Sequence, residues 1–100
     1  MANKRILCDK TELVLTVVGK KRVSIVNLTY EQIVSIRFEP FKEFRFFRKV
    51  PSERISITTS KLGSPIVYTK YKEKKYFEEY KKELRKFAED NRVTFYDDLE

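Results

Sequence analysis

Only a few side chains in this 100-residue chain are of the types that carry enzymatic chemistry. Cys8 is the one thiol, and adjacent carboxylates occur at Glu78 with Glu79 and at Asp97 with Asp98. Neighbouring side chains diverge on a helix and point to opposite faces of a strand, so neither carboxylate pair forms an acid/base dyad. We therefore interpret both pairs as solvated surface.

The rest of the composition excludes most enzyme classes. The chain has no histidine, which removes Ser–His–Asp and Cys–His catalysis, histidine general bases and most zinc sites. A single cysteine cannot form a structural zinc cluster, an iron–sulfur site or an internal disulfide. Gly19 and Gly63 are the only glycines, too few for a phosphate-binding loop or a dinucleotide fingerprint. We predict a protein that is not an enzyme and has no catalytic residues, no metal site and no cofactor.

The N-terminal segment MANKRILCDK has no apolar core and no small-residue cleavage site, so we do not expect a signal peptide. The longest apolar stretch, residues 13–18, is far shorter than the roughly 20 residues that a membrane-spanning helix needs. The alternation of Cys8 with Ile6 places the thiol at a semi-buried strand position. We expect a reduced cysteine, no transmembrane segment and a cytoplasmic protein.

The chain carries 22 lysines and arginines against 15 acids, a net charge of +7. A basic chain meets anionic surfaces such as nucleic acid, acidic lipid or acidic protein at an increased rate. However, acids are interspersed with the bases nearly everywhere, which weakens any field of a single sign, and charge of this size also serves solubility. Net charge therefore does not identify a partner.

One stretch has a distinctive composition: PFKEFRFFRKVP, residues 40–51. It holds four of the eight phenylalanines and four basic residues against one acid. Proline at both ends leaves little room for a helix, and prolines and charges are typical of edge strands that avoid pairing with other chains. We therefore predict an edge strand or a long hairpin.

Two interpretations of residues 40–51 stay open. In the first, which we favour, two or three of the phenylalanines fill the core and the basic side chains are solvated. In the second, Phe41 or Phe47 stands exposed as part of a binding surface that stacks nucleic acid bases, enters a lipid interface beside anionic headgroups, or packs against a protein. The basic residues of this candidate surface are Lys42, Arg45, Arg48 and Lys49, together with Lys20, Lys21 and Arg22 at a predicted turn.

Alternating apolar residues predict a series of short strands. The predicted strands occupy residues 5–8, 13–18, 23–26, 33–38, 54–59 and 66–71, with a short last strand at 93–96. Gly19 opens the turn of the first hairpin, because glycine accepts a positive φ. Thr29 and Gln32 have the spacing of a capping box, which predicts one helical turn. Pro40 is expected to end the strand that begins at Ile33, because proline has no N–H for a ladder.

From about residue 72 the apolar spacing changes to three and four residues, which predicts an amphipathic helix over residues 72–91. Asn91 is a suitable stop, since asparagine tolerates the left-handed conformation. The apolar stripe, assigned to the core, consists of Tyr76, Phe77, Tyr80, Leu84, Phe87 and Ala88. Lysines at the predicted helix start conflict weakly with the helix dipole; they are Lys70, Lys72, Lys74 and Lys75.

These elements predict a single α+β domain over residues 1–100. The strands take up about residues 4–71, the helix residues 72–91, and a short strand or tail residues 92–100.

The order of elements resembles the pleckstrin-homology superfold, in particular its small bacterial members. Three stretches carry the resemblance: LVLTVVGKKRVSIV as a hairpin, LTYEQIVSIRF as a turn that leads into a strand, and RISITTSKLGSPIVYTKY as a hairpin that runs into the helix. The resemblance implies about seven antiparallel strands in two nearly orthogonal sheets that form a partly open barrel, capped by the C-terminal helix.

Two features of the chain depart from that superfold. Eukaryotic members often have a tryptophan in the helix, and this chain has none. Members that bind phosphoinositides carry a spaced basic motif between their first two strands, whereas Lys20, Lys21 and Arg22 stand side by side. The resemblance therefore implies the fold and not the phosphoinositide binding.

Three functions remain compatible with the sequence. The favoured one is a non-catalytic binding or scaffold module that contacts an acidic protein or an anionic headgroup through the basic aromatic surface. A nucleic-acid-binding domain ranks lower, because FRFFRKV lacks the glycines of the RNA-recognition signature. The third is a homo-oligomeric scaffold in which exposed strand edges pair between copies.

Overall fold

The computed structural model describes residues 4–99, which fold as an α+β unit of seven strands in two sheets and one α-helix. The strands are β1 (Ile6–Cys8), β2 (Glu12–Val18), β3 (Val23–Thr29), β4 (Ile33–Arg45), β5 (Arg48–Thr59), β6 (Ile66–Thr69) and β7 (Thr94–Asp97). The helix, α1 (Phe77–Asn91), lies between β6 and β7 in the chain. The α+β class with about seven strands in two sheets is confirmed, while residues 1–3 and residue 100 of the predicted domain lie outside the described part.

The first sheet is an antiparallel meander in the order β1-β2-β3. Strict alternation turns Leu13 and Leu15 of β2 into the core, where both are fully buried, and leaves the residues between them on the outer face. Gly19 closes the hairpin between β2 and β3 by donating its N–H to the Arg22 carbonyl (2.9 Å). The predicted turn is therefore present, but Gly19 does not have the positive φ that was expected of it.

The second sheet has the order β6-β5-β4-β7. Its first three strands are antiparallel, but β7 runs parallel to β4. The expectation of antiparallel strands throughout is wrong at this position, because α1 carries the chain back along the sheet before β7 joins it. No ladder connects the two sheets within residues 4–99, so they are not closed into a barrel.

The turn between the two sheets is the predicted capping box. The Thr29 N–H donates to the Gln32 side-chain oxygen (3.0 Å) at the start of a short 3-10 turn, Tyr30–Gln32. This reciprocal arrangement satisfies backbone donors that a helix start leaves unpaired. Capping-box spacing therefore predicted this local structure correctly.

The helix begins five residues later than predicted, at Phe77 and not at residue 72. The lysine-rich residues 70–76 form turns before it, so the positive charge does not occupy the first helical turn. That turn carries Glu78 and Glu79, whose charges the helix dipole favours. The predicted conflict between the lysines and the dipole is thereby removed. At the other end Arg92, not Asn91, adopts the left-handed conformation (φ 56°).

The apolar stripe of α1 covers one core shared by both sheets, as predicted. Tyr80 and Leu84 have no exposed surface, and Phe87 is nearly as deeply buried. The Arg5 backbone N–H donates to the Tyr80 hydroxyl (2.8 Å), so the one polar atom of that buried ring has a partner. No helix within the described residues is long and apolar enough to cross a membrane.

Cys8 occupies the semi-buried strand position predicted for it, on β1. Burial raises the pKa of the Cys8 thiol from 9.0 to about 12, because the thiolate would lose its hydration. The thiolate is the nucleophile, so alkylation of the folded protein by iodoacetamide at pH 8 is expected to be slower than in the urea-unfolded chain by about two to three orders of magnitude. Equal rates in the two states would show that the thiol is accessible.

Burial of ionisable side chains also makes the free energy of unfolding depend on pH in the alkaline range. Burial also raises the pKa values of the Tyr68 and Tyr80 hydroxyls above their ordinary value of 10.0. A raised pKa for an acid means that stability is fully present below the unfolded-state pKa and is lost as pH rises through the folded-state pKa. We expect the urea midpoint to be constant from pH 7 to 8 and to fall above pH 9, where Cys8 ionises in the unfolded chain. In Cys8→Ala the fall is expected to start only near pH 10, with tyrosine ionisation.

Candidate functional site

The predicted basic aromatic segment is the outer part of a long hairpin formed by β4 and β5. On one side the ladder between β4 and β7 ends at the Phe38–Asp97 pair, and on the other the ladder between β5 and β6 ends at the Arg54–Thr69 pair. The two long strands continue alone from the Pro40–Glu53 pair to the Arg45–Arg48 pair, over about 20 Å at 3.4 Å per residue. We call residues 40–53 the hairpin arm.

Pro40 does not end β4, so that prediction is wrong, and the backbone direction explains why. The Asp98 N–H donates to the Phe38 carbonyl (2.8 Å), so the backbone polar groups of Phe38 point toward β7 and away from β5. Pro40 lies two residues on and therefore turns its nitrogen to the same free side, where no ladder bond is lost. Pro51 is paired with Lys42, which lies two residues after Pro40 and therefore turns its backbone polar groups to the same side. The Pro51 nitrogen thus also faces the open edge.

The arm ends in a strained two-residue turn, Phe46-Phe47. Both residues have positive φ, 52° and 63°, between the paired Arg45 and Arg48. Positive φ at both central residues is the mark of a type I′ turn, which is normally made by Asn-Gly or Gly-Gly. A bulky side chain in this conformation is an outlier that costs about 1–3 kcal/mol per residue. The tip therefore stores strain in two residues of an unsuitable type.

The phenylalanines of the arm are on the surface. The exposed fraction is 68% for Phe44, 85% for Phe46 and 95% for Phe47, while Phe41 is half-buried. The favoured expectation that two or three of them fill the core is therefore wrong. Their exposure follows from the lengths of the neighbouring strands, because β6 and β7 stop before the arm and leave nothing for these rings to pack on.

Three basic residues of the arm are available to a partner: Arg48 and Lys49 follow the tip directly, and Lys42 lies further back, opposite Pro51. Lys42, Arg48 and Lys49 are exposed, and within residues 4–99 none of them has an ion-pair partner. Lys49 is paired with Phe44 across the ladder, so a charge and an aromatic ring share one face of the arm. The arrangement combines apolar surface with exposed positive charge.

Two of the predicted site residues are engaged inside the arm. The Arg45 guanidinium lies over the Tyr71 ring (4.3 Å to the centroid), and its Nε is 3.5 Å from a Glu43 carboxylate oxygen. The Arg54 guanidinium lies over the Phe41 ring (5.2 Å). Arg45 and Phe41 therefore support the arm rather than contact a partner at its tip.

A cleft of about 410 Å³ separates the arm from the turns that precede α1. Its bases are Arg45, Lys70 and Lys74, and its one acid, Glu53, is paired with Lys81 (3.2 Å) and with Lys70 (3.9 Å). Sequence analysis missed Lys70 and Lys74 as parts of this site, because it placed them in the last strand before the helix and in the helix. The weak conflict with the helix dipole was the only sequence signal that Lys70 and Lys74 lie outside the helix.

The Lys20–Arg22 turn is separate from this site. All three residues are exposed at the tip of the β2–β3 hairpin, in the three-stranded sheet, whereas the arm extends from the four-stranded sheet. The structure therefore places the predicted basic residues in two patches, carried by different sheets. Only the arm combines its bases with exposed aromatic rings.

Within residues 4–99 no group of three or more cysteine, aspartate or glutamate side chains converges in a way that could hold a metal ion. The chemistry that the arm offers is apolar contact, cation–π contact and attraction of anions. Comparison with protein-family models, with curated proteins and with solved structures finds no match to this chain.

Proposed function

We propose that the protein is a non-catalytic binding module that docks on anionic membrane surfaces by inserting the tip of its hairpin arm among the lipid headgroups. The observation that carries the proposal is the Phe46-Phe47 turn, strained in its backbone and almost wholly exposed in its side chains. Backbone strain persists where the surrounding structure maintains it, and it concentrates at functional sites. Two phenylalanines at this turn contribute nothing to the fold, so their benefit lies in a contact outside the chain.

The sizes of the two contributions suggest that both are needed. Removing a phenylalanine side chain from water stabilises by about 1.5–3 kcal/mol, so the two tip residues supply about 3–6 kcal/mol. Each basic residue near an anionic bilayer adds about 1 kcal/mol, so Lys42, Arg48 and Lys49 supply about 3 kcal/mol. The protein loses translational and rotational entropy when it is held on the surface, which opposes these two contributions. We therefore expect reversible docking.

A bilayer suits this tip better than an acidic protein or a nucleic acid does. The rings of Phe46 and Phe47 stand on a convex turn, so a protein partner must supply a pocket for them, while a bilayer deforms around them. Phenylalanine has no polar atom to keep solvated when it is buried there. Nucleic acid binding uses flat stacking platforms beside phosphate contacts, and the tip offers a narrow edge.

The proposed fold behind this arm is a pleckstrin-homology-like, partly open barrel. The supporting observations are seven strands in two sheets and the packing of α1 across one shared core; six of the strands precede α1 and β7 follows it. In this proposal α1 covers an end of the barrel, and the arm is an elongated strand connection at its rim.

Co-sedimentation with vesicles tests the proposed function directly. The protein is expected to bind vesicles of phosphatidylserine and phosphatidylcholine at low salt, to bind pure phosphatidylcholine much more weakly, and to lose most binding at about 0.5 M salt. Absence of binding to anionic vesicles at low salt contradicts the proposal. Release from vesicles by a single-stranded oligonucleotide, at similar affinity, would favour the nucleic acid alternative.

The double variant Arg48→Gln/Lys49→Gln is expected to weaken vesicle binding by about 10- to 30-fold, from about 1 kcal/mol per charge. The matched control is Lys82→Gln/Arg92→Gln, which removes the same charge from exposed positions far along the chain from the arm. The vesicle affinity of the control is expected to fall less than threefold, because only the net charge of the protein changes. Equal losses in the two variants would mean that net charge, and not the arm, determines binding.

A further inference from the structure

The strand β3 presents an open edge that lacks the usual protection against pairing. It is the last strand of its sheet, and alternate residues of an edge strand turn unpaired N–H and C=O groups outward. Exposed edges are normally blocked by charged residues, proline, bulges or very short length. The segment Val23–Thr29 (VSIVNLT) has no charge and no proline, and its seven residues pair with β2 in one unbroken register.

The other edges of the two sheets differ from β3. At four residues each, β6 and β7 are short, and β1 has only three residues. The arm has open edges as well, but Pro40 and Pro51 interrupt them. Within the described residues β3 is therefore the one long edge with a continuous row of backbone groups.

The side chains of β3 also expose apolar surface. Val23 is 60% exposed and Ile25 69% exposed, and both lie on the outer face beside Val18 of β2. They line a cleft of about 490 Å³ together with Tyr76 and with charged side chains, among them Lys72, Glu73 and Lys75. A β-branched, uncharged strand with outward apolar side chains is well suited to adding another strand beside it.

The charges at the two ends of β3 indicate which strand that is. Lys20, Lys21 and Arg22 precede the strand, while Glu31 follows it, and Glu12 is paired with Thr29 at the same end. In an antiparallel pair of two β3 strands the basic turn of one copy lies beside the acidic end of the other. The strand itself adds no like charges to the contact, so two copies fit each other in charge as well as in hydrogen bonding.

We propose that the chain forms a two-fold symmetric dimer in which β3 pairs with β3 of a second copy, giving a continuous six-stranded antiparallel sheet. Each copy offers this edge once, so the pairing closes at two chains and does not extend into a filament. The dimer does not depend on membrane docking, because it uses the other sheet and not the hairpin arm. Backbone bonds and apolar contact supply most of its stability and the exposed end charges supply less, so raised salt weakens the dimer far less than it weakens vesicle binding.

Sedimentation equilibrium across a wide protein concentration range tests the dimer. The expected mass is about twice the 12.1 kDa of one chain at high concentration. In Ile25→Lys the dimer dissociation constant is expected to rise at least about tenfold, since each strand loses an outward apolar side chain and two like charges come close together across the strand pair. The matched control is Val67→Lys on β6, an exposed apolar residue at the edge of the other sheet, where the dissociation constant is expected to stay within threefold.

Single cysteines at positions 25, 26 and 27, in a Cys8→Ser background, provide a positive test. A two-fold antiparallel pair brings one central residue opposite its own copy, so one of the three is expected to form a disulfide-linked dimer on mild oxidation. A single-chain mass at every concentration overturns the proposal. A dimer that survives Ile25→Lys, or that weakens equally in Val67→Lys, overturns the assignment to β3.

Discussion

Replacing Phe46 with Asn and Phe47 with Gly is expected to make the protein more stable and to weaken its binding to anionic vesicles strongly. Asn-Gly is the preferred pair for a type I′ turn, so the substitution relieves positive φ at two bulky residues, 52° and 63°. We expect a gain of about 1–3 kcal/mol in the free energy of unfolding. For a domain of this size each kcal/mol raises Tm by about 4–8 °C.

The same variant removes the two rings that the proposed function inserts into the bilayer. Their loss is expected to weaken vesicle binding at least about 100-fold, the lower end of the estimate from burying two phenylalanine side chains. Urea unfolding gives the stability and vesicle co-sedimentation gives the affinity. Stability and binding are thus expected to move in opposite directions, which a change in folding alone cannot produce.

Phe46→Leu/Phe47→Leu is the matched control for this prediction. Leucine keeps an apolar side chain at positive φ, so the control retains most of the vesicle binding and gains no stability. If the Asn-Gly variant is less stable than the parent protein, the turn assignment is wrong. If it binds vesicles as well as the parent does, the tip is not the anchor and the proposed function fails.

Leu84→Ala is expected to cost about 2–5 kcal/mol of the free energy of unfolding. Leu84 has no exposed surface and lies in the middle of the stripe with which α1 covers the core. Deleting buried methyl and methylene groups loses their transfer free energy and leaves a cavity that the two sheets cannot fill. A domain of this kind is stable by only about 5–15 kcal/mol, so the variant loses a large share of its stability.

Urea unfolding monitored by circular dichroism measures this effect. Lys82→Ala, on the exposed face of the same helix, is the control and is expected to change stability by less than about 0.5 kcal/mol. Similar small losses in both variants would mean that α1 does not stabilise the sheets. Because Leu84 is remote from the arm tip along the chain, the folded fraction of the variant is expected to keep its affinity for vesicles.

Local pattern alone determined most of the elements. Alternating residues such as those around Ile55 and Ile57 place one face of a strand in the core, and both are fully buried. The three- and four-residue spacing of Tyr80, Leu84 and Phe87 likewise determined the buried face of the helix. These signals depend only on which side chains a strand or helix brings to one side, so they do not require knowledge of the neighbours.

Tertiary structure decided the points at which an element depends on what lies beside it. The lysine-rich residues 70–76 are compatible with a helix but form turns, and from these turns Tyr71 contacts Arg45 of the arm. The parallel pairing of β7 with β4 likewise follows from the path of α1 and not from the residues of β7. A local sequence pattern predicts neither of these two features.

The candidate site was the part that the sequence could locate but not interpret. Composition picked out residues 40–51, yet the same phenylalanines suit a core strand and an exposed one. Their environment was set by the ends of the neighbouring ladders at Phe38 and Arg54, beyond which the hairpin has no other strand beside it. Exposure is a property of the surrounding surface, so only the assembled sheets show that Phe46 and Phe47 face water.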